Sequence, residues 1–473
     1  MQDIFDKLKK YKQEHVIKFI DELNPIQRSR LLHQLEQIDF TELDNLIKEY
    51  VKHEPEINIP ADLAPAPFFP LKAKNTELEK LYARAKAKGE ELLKEGKVAA
   101  LTVAGGQGTR LGFDAPKGTY PITPVKNKSL FQYFAESLLR AGIKYDHKIS
   151  WYIMTSQLNN EATQKFFEEN NYFGLEAEDV IFFVQGTMPA LDYKGKLLLA
   201  TKDSLALAPD GHGGTLLALR RSGCLDKMKH DKVEYISYFQ VDNPLVSVVN
   251  PLFIGLHALE GSDMSAIMLA KTEPFEKLGN FCVSGNKLMI IEYSDLPDKL
   301  AKARNANGSL KFIAGSPAIH VLSREFINEL TQHDRLDLPW HRADKKIKFI
   351  DSKGELIIPD EPNGVKLESF IFDALQLAET TMLLEVAREE EFAPTKNKTG
   401  VDSVESCREM LIERDAKRLE RANVKVPRNA NGKAAVKIEI SPLAIIDDED
   451  ARSYCHTKDI HKIDNNMDSI YLT

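Results

Sequence analysis

Through residues 1–50 apolar side chains recur every three or four positions, Leu31, Leu32, Leu35 and Ile38 most clearly, with polar residues between them. That period predicts helices. Asn24-Pro25 marks one start, with Asn24 as cap and Pro25 in the first turn, where its missing N–H costs nothing. Thr41 with Asp44 predicts a further start as a capping pair. Pro55, Pro60, Pro65, Pro67 and Pro70 crowd residues 53–72 and predict a linker or an extended crossing segment. A charged helix is expected over about 76–95.

Beyond Gly96 the pattern changes. Residues 98–103 form an apolar run of strand length, followed by a glycine-rich loop. Residues 129–141 predict an amphipathic helix, and 149–155, 180–184 and 235–241 predict short strands. Strands alternating with helices imply an α/β protein, a mostly parallel sheet flanked by helices. Ligands in such folds sit at the carboxyl ends of the strands. From about Lys396 a charged helix over 403–421 is followed by Asn431-Gly432, a hairpin turn signal, and a strand over 434–440. The expected division is a helical region 1–55, a main domain 56–394 and a smaller C-terminal domain 395–473 with β structure. The N-terminal helices read either as a docking domain or as a cap on the main domain.

A chain of 473 residues is too long for one ordinary core. Its net charge of -8 argues against general nucleic-acid binding, which needs a basic surface, but leaves room for a local basic pocket. Cys224, Cys282, Cys407 and Cys455 are far apart and form no CxxC pair, as expected in a reducing compartment. The polar start is no secretory signal, and no run approaches the ~18 apolar residues of a membrane span. A cytoplasmic protein without membrane or nucleic-acid partners is expected. Monomer and homodimer stay open.

The most informative segment runs from Leu101 to Gly112, followed by Ala115-Pro116-Lys117-Gly118. Gly105, Gly106 and Gly108 follow a buried strand, where bare backbone can approach a phosphate chain and aim N–H groups at it. Arg110 and Lys117 add positive charge, completing an anion cradle for a triphosphate. A Rossmann loop is excluded, because counting from Gly106 and Gly108 the third glycine position is Leu111. A Walker loop wants Gly-Lys-Ser/Thr, whereas here Pro116-Lys117 precedes Gly118.

Gly-Gly-x-Gly-Thr-Arg-Leu-Gly with a following Pro-Lys resembles the signature of the sugar nucleotidyltransferases, in the version of the eukaryotic-type UDP-N-acetylhexosamine pyrophosphorylases. The resemblance continues in order through Gln185-Gly186, Ala208–Gly214, Val241-Asp-Asn243, Ile291-Glu-Tyr-Ser294, Pro362-Asn-Gly364, Phe370-Ile-Phe-Asp373, Glu391–Asn397 and Ile440-Ser-Pro442. It implies a Rossmann-like, GT-A-like nucleotidyltransferase domain over 56–394. The implied activity joins UTP to a sugar 1-phosphate and releases pyrophosphate.

That reaction is an in-line attack of a sugar-phosphate oxygen on the α-phosphorus of UTP. A phosphate monoester with a second pKa of about 6 is already ionised at neutral pH, so no general base is needed. The physical problem is repulsion between two polyanions, met by positioning, cations and a divalent metal. Arg110 and Lys117 are expected to neutralise the triphosphate, and the resemblance adds Lys396 from the edge of the C-terminal region. Asp242, ending an apolar strand, is a natural ligand for Mg2+, with Mn2+ an alternative. Gln185 and the backbone of Gly211 suit the uracil edge. Glu292 can accept from two sugar hydroxyls. Phe370 and Phe372, two apart, share a face if extended and could meet an acetyl methyl.

Two positions depart from the family's pattern. His212 and Ser316 stand where asparagine is usual, both near the expected sugar-phosphate site. His212 can donate to a phosphate or hydroxyl and could make binding pH-dependent. Ser316 reaches less far. N-acetylglucosamine 1-phosphate leads as substrate, with N-acetylgalactosamine, glucose or galactose 1-phosphate as alternatives. A UDP-sugar-binding protein without catalysis would have no need for Arg110, Lys117, Asp242 and Lys396.

Overall fold

The computed structural model describes residues 2–53 and 59–473. The expected boundary at 55/56, and the part of the expected linker over 54–58, lie outside the described residues. The chain forms two compact units. One gathers Met1–Ile59, Gln185–Thr215 and Asp337–Asp373; the other comprises Pro60–Val184, Leu216–Leu336 and Ala374–Thr473.

The larger unit is built on a mixed sheet, eleven-stranded among the described residues. Tyr235–Gln240, Val98–Val103, Trp151–Thr155 and Val180–Val184 lie side by side in that order, all parallel. The chain leaves Val98–Val103 toward Trp151–Thr155 on one side, and Tyr235–Gln240 arrives on the other. This is a topological switch point, where strand ends open a crevice. His320–Ser323 pairs antiparallel with both Tyr235–Gln240 and Met264–Ala270, which makes the sheet mixed. Val98, Ala100, Trp151 and Ile153 are buried with Phe131, Phe134 and Phe167 of the helices beside the sheet. The helix Leu130–Tyr145 starts where Ser129 accepts from the Gln132 N–H.

The proline-rich segment, where described, is an extended crossing. Ala64–Pro65 pairs at the sheet edge with Val283 and Cys282, and Phe69 exchanges backbone hydrogen bonds with the strand Thr381–Val386. Proline is tolerated there because an edge strand has N–H groups to spare.

Toward the C-terminus, Ser403 and Ser406 cap the helix Val404–Arg421. The turn at Asn431-Gly432 forms, with Gly432 at φ 75°, but only the single antiparallel bridge Arg428↔Ala434 closes it. The strand is shorter than expected, Lys437–Ile440, and pairs in parallel with Ser469–Leu472. A distant partner replaces the hairpin because Ile438, Ile440 and Leu472 are buried in one core with Ala416 and Leu419.

In the smaller unit Ile4, Leu8, Leu31, Leu35, Phe40 and Leu43 are buried against Leu191, Leu197, Leu205, Val365 and Leu367. Asn24 caps Pro25–Glu36 in a capping box with Gln27. The next helix, Phe40–Leu46, is capped by Asp39 rather than by Thr41 with Asp44. The Asp39 carboxylate accepts from the N–H groups of Thr41 and Glu42, while the Thr41 hydroxyl hydrogen-bonds that of Tyr11. The first turn is satisfied from a residue two positions earlier than the sequence suggested.

Candidate active site

The glycine loop leaves the carboxyl end of Val98–Val103 and folds back on itself. Gly108 N–H donates to Ala115 O at 2.9 Å, and Lys117 N–H donates to Gly106 O at 3.1 Å. Asn159, fully buried, donates its amide to Ala104 O at 2.9 Å and to Gly106 O at 3.3 Å. A Cβ on Gly106 would meet nothing within 4 Å, so that backbone faces open space. Gly105 lies just before it, after the end of the strand.

Asp242 lies two residues beyond the neighbouring strand Tyr235–Gln240. Lys117 Nζ donates to Asp242 Oδ2 at 3.1 Å, with both side chains more than four-fifths buried. Thr395 N–H donates to Asp242 O at 2.8 Å, which brings Lys396 to this strand end. Asn243 reinforces the tie, donating to Glu391 O at 2.7 Å and accepting from Ala393 N–H at 2.9 Å. Glu391 is buried, which pushes its carboxyl up, and accepts from the N–H and hydroxyl of Ser247. Arg408, on the helix after Lys396, donates to the carbonyls of Pro121 and Ile122. Lys117, Asp242 and the Lys396 segment are therefore assembled together. Arg110 sits exposed on the short turn Thr109–Leu111 and makes no hydrogen bond to this group among the described contacts.

Farther along the same unit, Glu292 follows the strand Lys287–Ile291, and Ser316 ends the strand Ala314–Ser316. A Cβ on Gly279 would lie 3.6 Å from Glu292 Oε1 and 4.0 Å from Ser316 Cβ. Three strands thus converge on one patch. Gly279 carried no sequence signal, because only the fold places it opposite Ser316.

In the smaller unit, Gln185 is buried and its Nε2 donates to Gly211 O at 2.7 Å. Gly211 has φ 87°, and a Cβ there would stand 2.2 Å from Ser369 O, so only glycine fits. Asp210 links the motif blocks, donating its N–H to Gly186 O and accepting from Ser369 N–H at 2.8 Å.

Phe370 stacks with two imidazoles, His212 at 5.2 Å and His341 at 4.3 Å between ring centroids. His341 Nε2 reaches Asp373 Oδ2 at 2.8 Å, and burial pushes the Asp373 carboxyl up. His341 was missed in sequence, where nothing links it to residues thirty positions away. The segment after Phe370 is not extended but a tight helical turn, Ile371–Gln376, so Phe370 and Phe372 meet at a 39° tilt rather than sharing a strand face. Burial, then the neighbouring His341, lowers His212 to about 4. Its Nδ1 accepts from Ile371 N–H at 3.2 Å, which leaves the proton on Nε2. His212 is thus a neutral donor of fixed tautomer near neutral pH, correcting the expectation that it brings pH dependence.

Among the described residues no cluster of three or more His, Cys, Asp or Glu could hold a metal. Asp242 alone still fits Mg2+, which takes one or two carboxylates and completes its shell with water and substrate phosphates. No helix among the described residues is long and apolar enough to cross a membrane.

A glycine loop and an acidic strand end at a switch point mark a nucleotide-handling α/β protein. The chain belongs to the UTP–glucose-1-phosphate uridylyltransferase family, whose model matches residues 44–452. It is 35% identical over 424 residues to the human UDP-N-acetylhexosamine pyrophosphorylase-like protein 1, covering 87% of this chain and 84% of that protein. It is also 35% identical to UDP-N-acetylglucosamine diphosphorylase 2 of Arabidopsis thaliana, covering 97% of this chain and 93% of that protein. The crystal structure of the uridine diphosphate N-acetylglucosamine pyrophosphorylase from Trypanosoma brucei, in complex with inhibitor, superposes with a TM-score of 0.82. That match has 26% identity and covers 99% of this chain and 97% of that one.

Proposed function

We propose that this protein is a UTP:N-acetylglucosamine-1-phosphate uridylyltransferase, forming UDP-N-acetylglucosamine and pyrophosphate. The observation that carries the reading is the Lys117 ammonium on the Asp242 carboxylate, at the carboxyl ends of adjacent parallel strands and beside the glycine loop. The family and the names of the relatives support it.

The chain's own groups meet the demands of the reaction. The loop from Gly105 to Gly112 offers backbone N–H groups and Arg110 to the triphosphate. Lys117 balances charge developing on the pyrophosphate, and Lys396 adds a second cation. Asp242 would hold Mg2+, which when bound would screen the two polyanions from each other. The ionised sugar phosphate attacks without a protein base. With Gln185 Nε2 engaged by Gly211 O, its Oε1 is the group suited to accept from uracil N3–H, where cytosine offers an acceptor instead. Glu292 accepts from sugar hydroxyls beside Gly279 and Ser316. The faces of Phe370 and Phe372 suit an acetyl methyl. Four buried free cysteines agree with a reducing, cytoplasmic setting.

Ser316 and His212 favour one alternative, a uridylyltransferase for another hexose 1-phosphate, since both alter the hydrogen bonds offered to the sugar. Specificity constants for N-acetylglucosamine, N-acetylgalactosamine, glucose and galactose 1-phosphate, measured in competition with UTP and Mg2+, decide between them. Preference for the first supports the proposal; preference for glucose or galactose 1-phosphate replaces it with the alternative.

A further inference from the structure

A buried lysine lies among the strands that carry Gly279, Glu292 and Ser316. Lys271 follows the strand Met264–Ala270 and is 5% exposed. Its ammonium donates to Pro274 O at 3.2 Å and to Asn280 Oδ1. Asn280, 1% exposed, sits opposite Ile291 on one side and Gly315 on the other. With its oxygen held by an ammonium, the Asn280 amide turns its NH2 away and donates to Ile291 O at 3.1 Å. Glu292 is the next residue.

The stem of the lysine acts on the third strand. A Cβ on Gly315 would stand 2.8 Å from Leu278 Cδ1 and 3.1 Å from Lys271 Cγ, so the stem and Leu278 together fill the space that the glycine leaves. Ser316 is the next residue. The Lys271 N–H also donates to Ile313 O at 2.9 Å, fixing the start of that strand. One side chain therefore sets the end of the strand that delivers Glu292 and packs beside the strand that delivers Ser316.

An apolar residue would fill this volume without the penalty of a buried ammonium. Burial pulls the Lys271 pKa below its usual value, an effect that nearby Glu276 and Cys282 oppose. What methionine could not supply is the hydrogen bond that orients Asn280.

We propose that Lys271 and Asn280 form a positioning pair that fixes the Gly279–Glu292–Ser316 patch and so determines selectivity for the sugar 1-phosphate. The inference rests on the function proposed above. The pair acts through Glu292 and Ser316, not by touching the reacting atoms.

The test is steady-state kinetics on the full chain with UTP, Mg2+ and either N-acetylglucosamine or glucose 1-phosphate. Lys271→Met should raise KM for N-acetylglucosamine 1-phosphate about tenfold, leave KM for UTP and kcat within about twofold, and shrink the preference between the two sugars. Asn280→Asp keeps an acceptor for Lys271 but loses the donor to Ile291 O, and should show the same selective change. It carries the test if Lys271→Met does not fold. Unchanged sugar KM in the folded variants, or KM for UTP rising in parallel, overturns the proposal while leaving the function intact. A wild-type chain inactive with every sugar 1-phosphate overturns the functional reading and this inference with it.

Discussion

Lys117 Nζ lies 3.1 Å from Asp242 Oδ2, joining the glycine loop to the strand on the other side of the switch point. The strands before them run parallel in register, with Val103 opposite Gln240. In the proposed reaction this cation and this anion each exchange partners when phosphate and metal arrive.

Asp242→Asn should therefore keep the fold and lose the chemistry. The amide still accepts from Lys117, so Tm should move by less than about 4 °C. Activity or apparent Mg2+ affinity should fall by about 10–100-fold or more. A magnesium titration of pyrophosphate release, beside a melting curve, checks both. A large fall in Tm with normal magnesium dependence would assign Asp242 a structural role.

Lys117→Met and Lys396→Ala should each reduce kcat, the first by about 10²–10³ as for loss of one charge-stabilising donor. Lys396 is held through its backbone, by Thr395 on Asp242 and by its own N–H on Asp402 O at 2.7 Å. Its truncation should leave Tm unchanged. Full activity in Lys396→Ala would remove it from the site.

Gly211→Ala should destabilise the smaller unit, since alanine meets both a positive φ and the Ser369 carbonyl. Strain of this kind costs about 1–3 kcal/mol. Because Gln185 bonds the Gly211 carbonyl, UTP affinity should fall as well. Urea unfolding and a UTP titration read the two effects. Gln185→Leu should weaken UTP binding with little loss of stability and narrow discrimination against CTP.

His257 is fully buried, with Nδ1 at 2.8 Å from the Ser265 hydroxyl and Nε2 at 3.1 Å from that of Ser323. Ser323 donates its own proton to Ser262 O, so it accepts from Nε2–H. Burial lowers His257 to about 3. Its folded form binds a proton less readily than its unfolded form, so the stabilisation is full above pH 6.5 and is lost as pH falls toward 3. The loss should be of the order of 4 kcal/mol over that range. His212 acts in the same direction down to about 4. Denaturant midpoints against pH should flatten in His257→Gln, and the ring resonances of His212 should not titrate between about pH 5.5 and 8. A His212 titrating near 6.5 would contradict the packed, bonded ring.

Much of this was legible in local sequence. The strand before the glycine loop, the Asn24 cap, the charged helix before Asn431-Gly432 and the strand leading to Asp242 all follow from short-range pattern. The shared blocks also acquired a physical reason: Val241–Asn243 and Glu391–Asn397 are hydrogen-bonded to each other, and Gln185-Gly186 to the loop at Gly211. What escaped depends on distant partners. Lys437–Ile440 takes its neighbour from the chain's end, His341 reaches Phe370 only by folding, and Asn159 reads locally as a turn residue although it holds the loop. The packing of the His212 ring on Phe370 cannot be read from a Gly-His-Gly tripeptide.

The most direct measurement is pyrophosphate release by the purified 473-residue chain given UTP, Mg2+ and N-acetylglucosamine 1-phosphate. The proposed function predicts stoichiometric pyrophosphate and UDP-N-acetylglucosamine, with release abolished by chelating the metal and greatly reduced in Lys117→Met. No pyrophosphate from the folded wild type with any hexose 1-phosphate would contradict it.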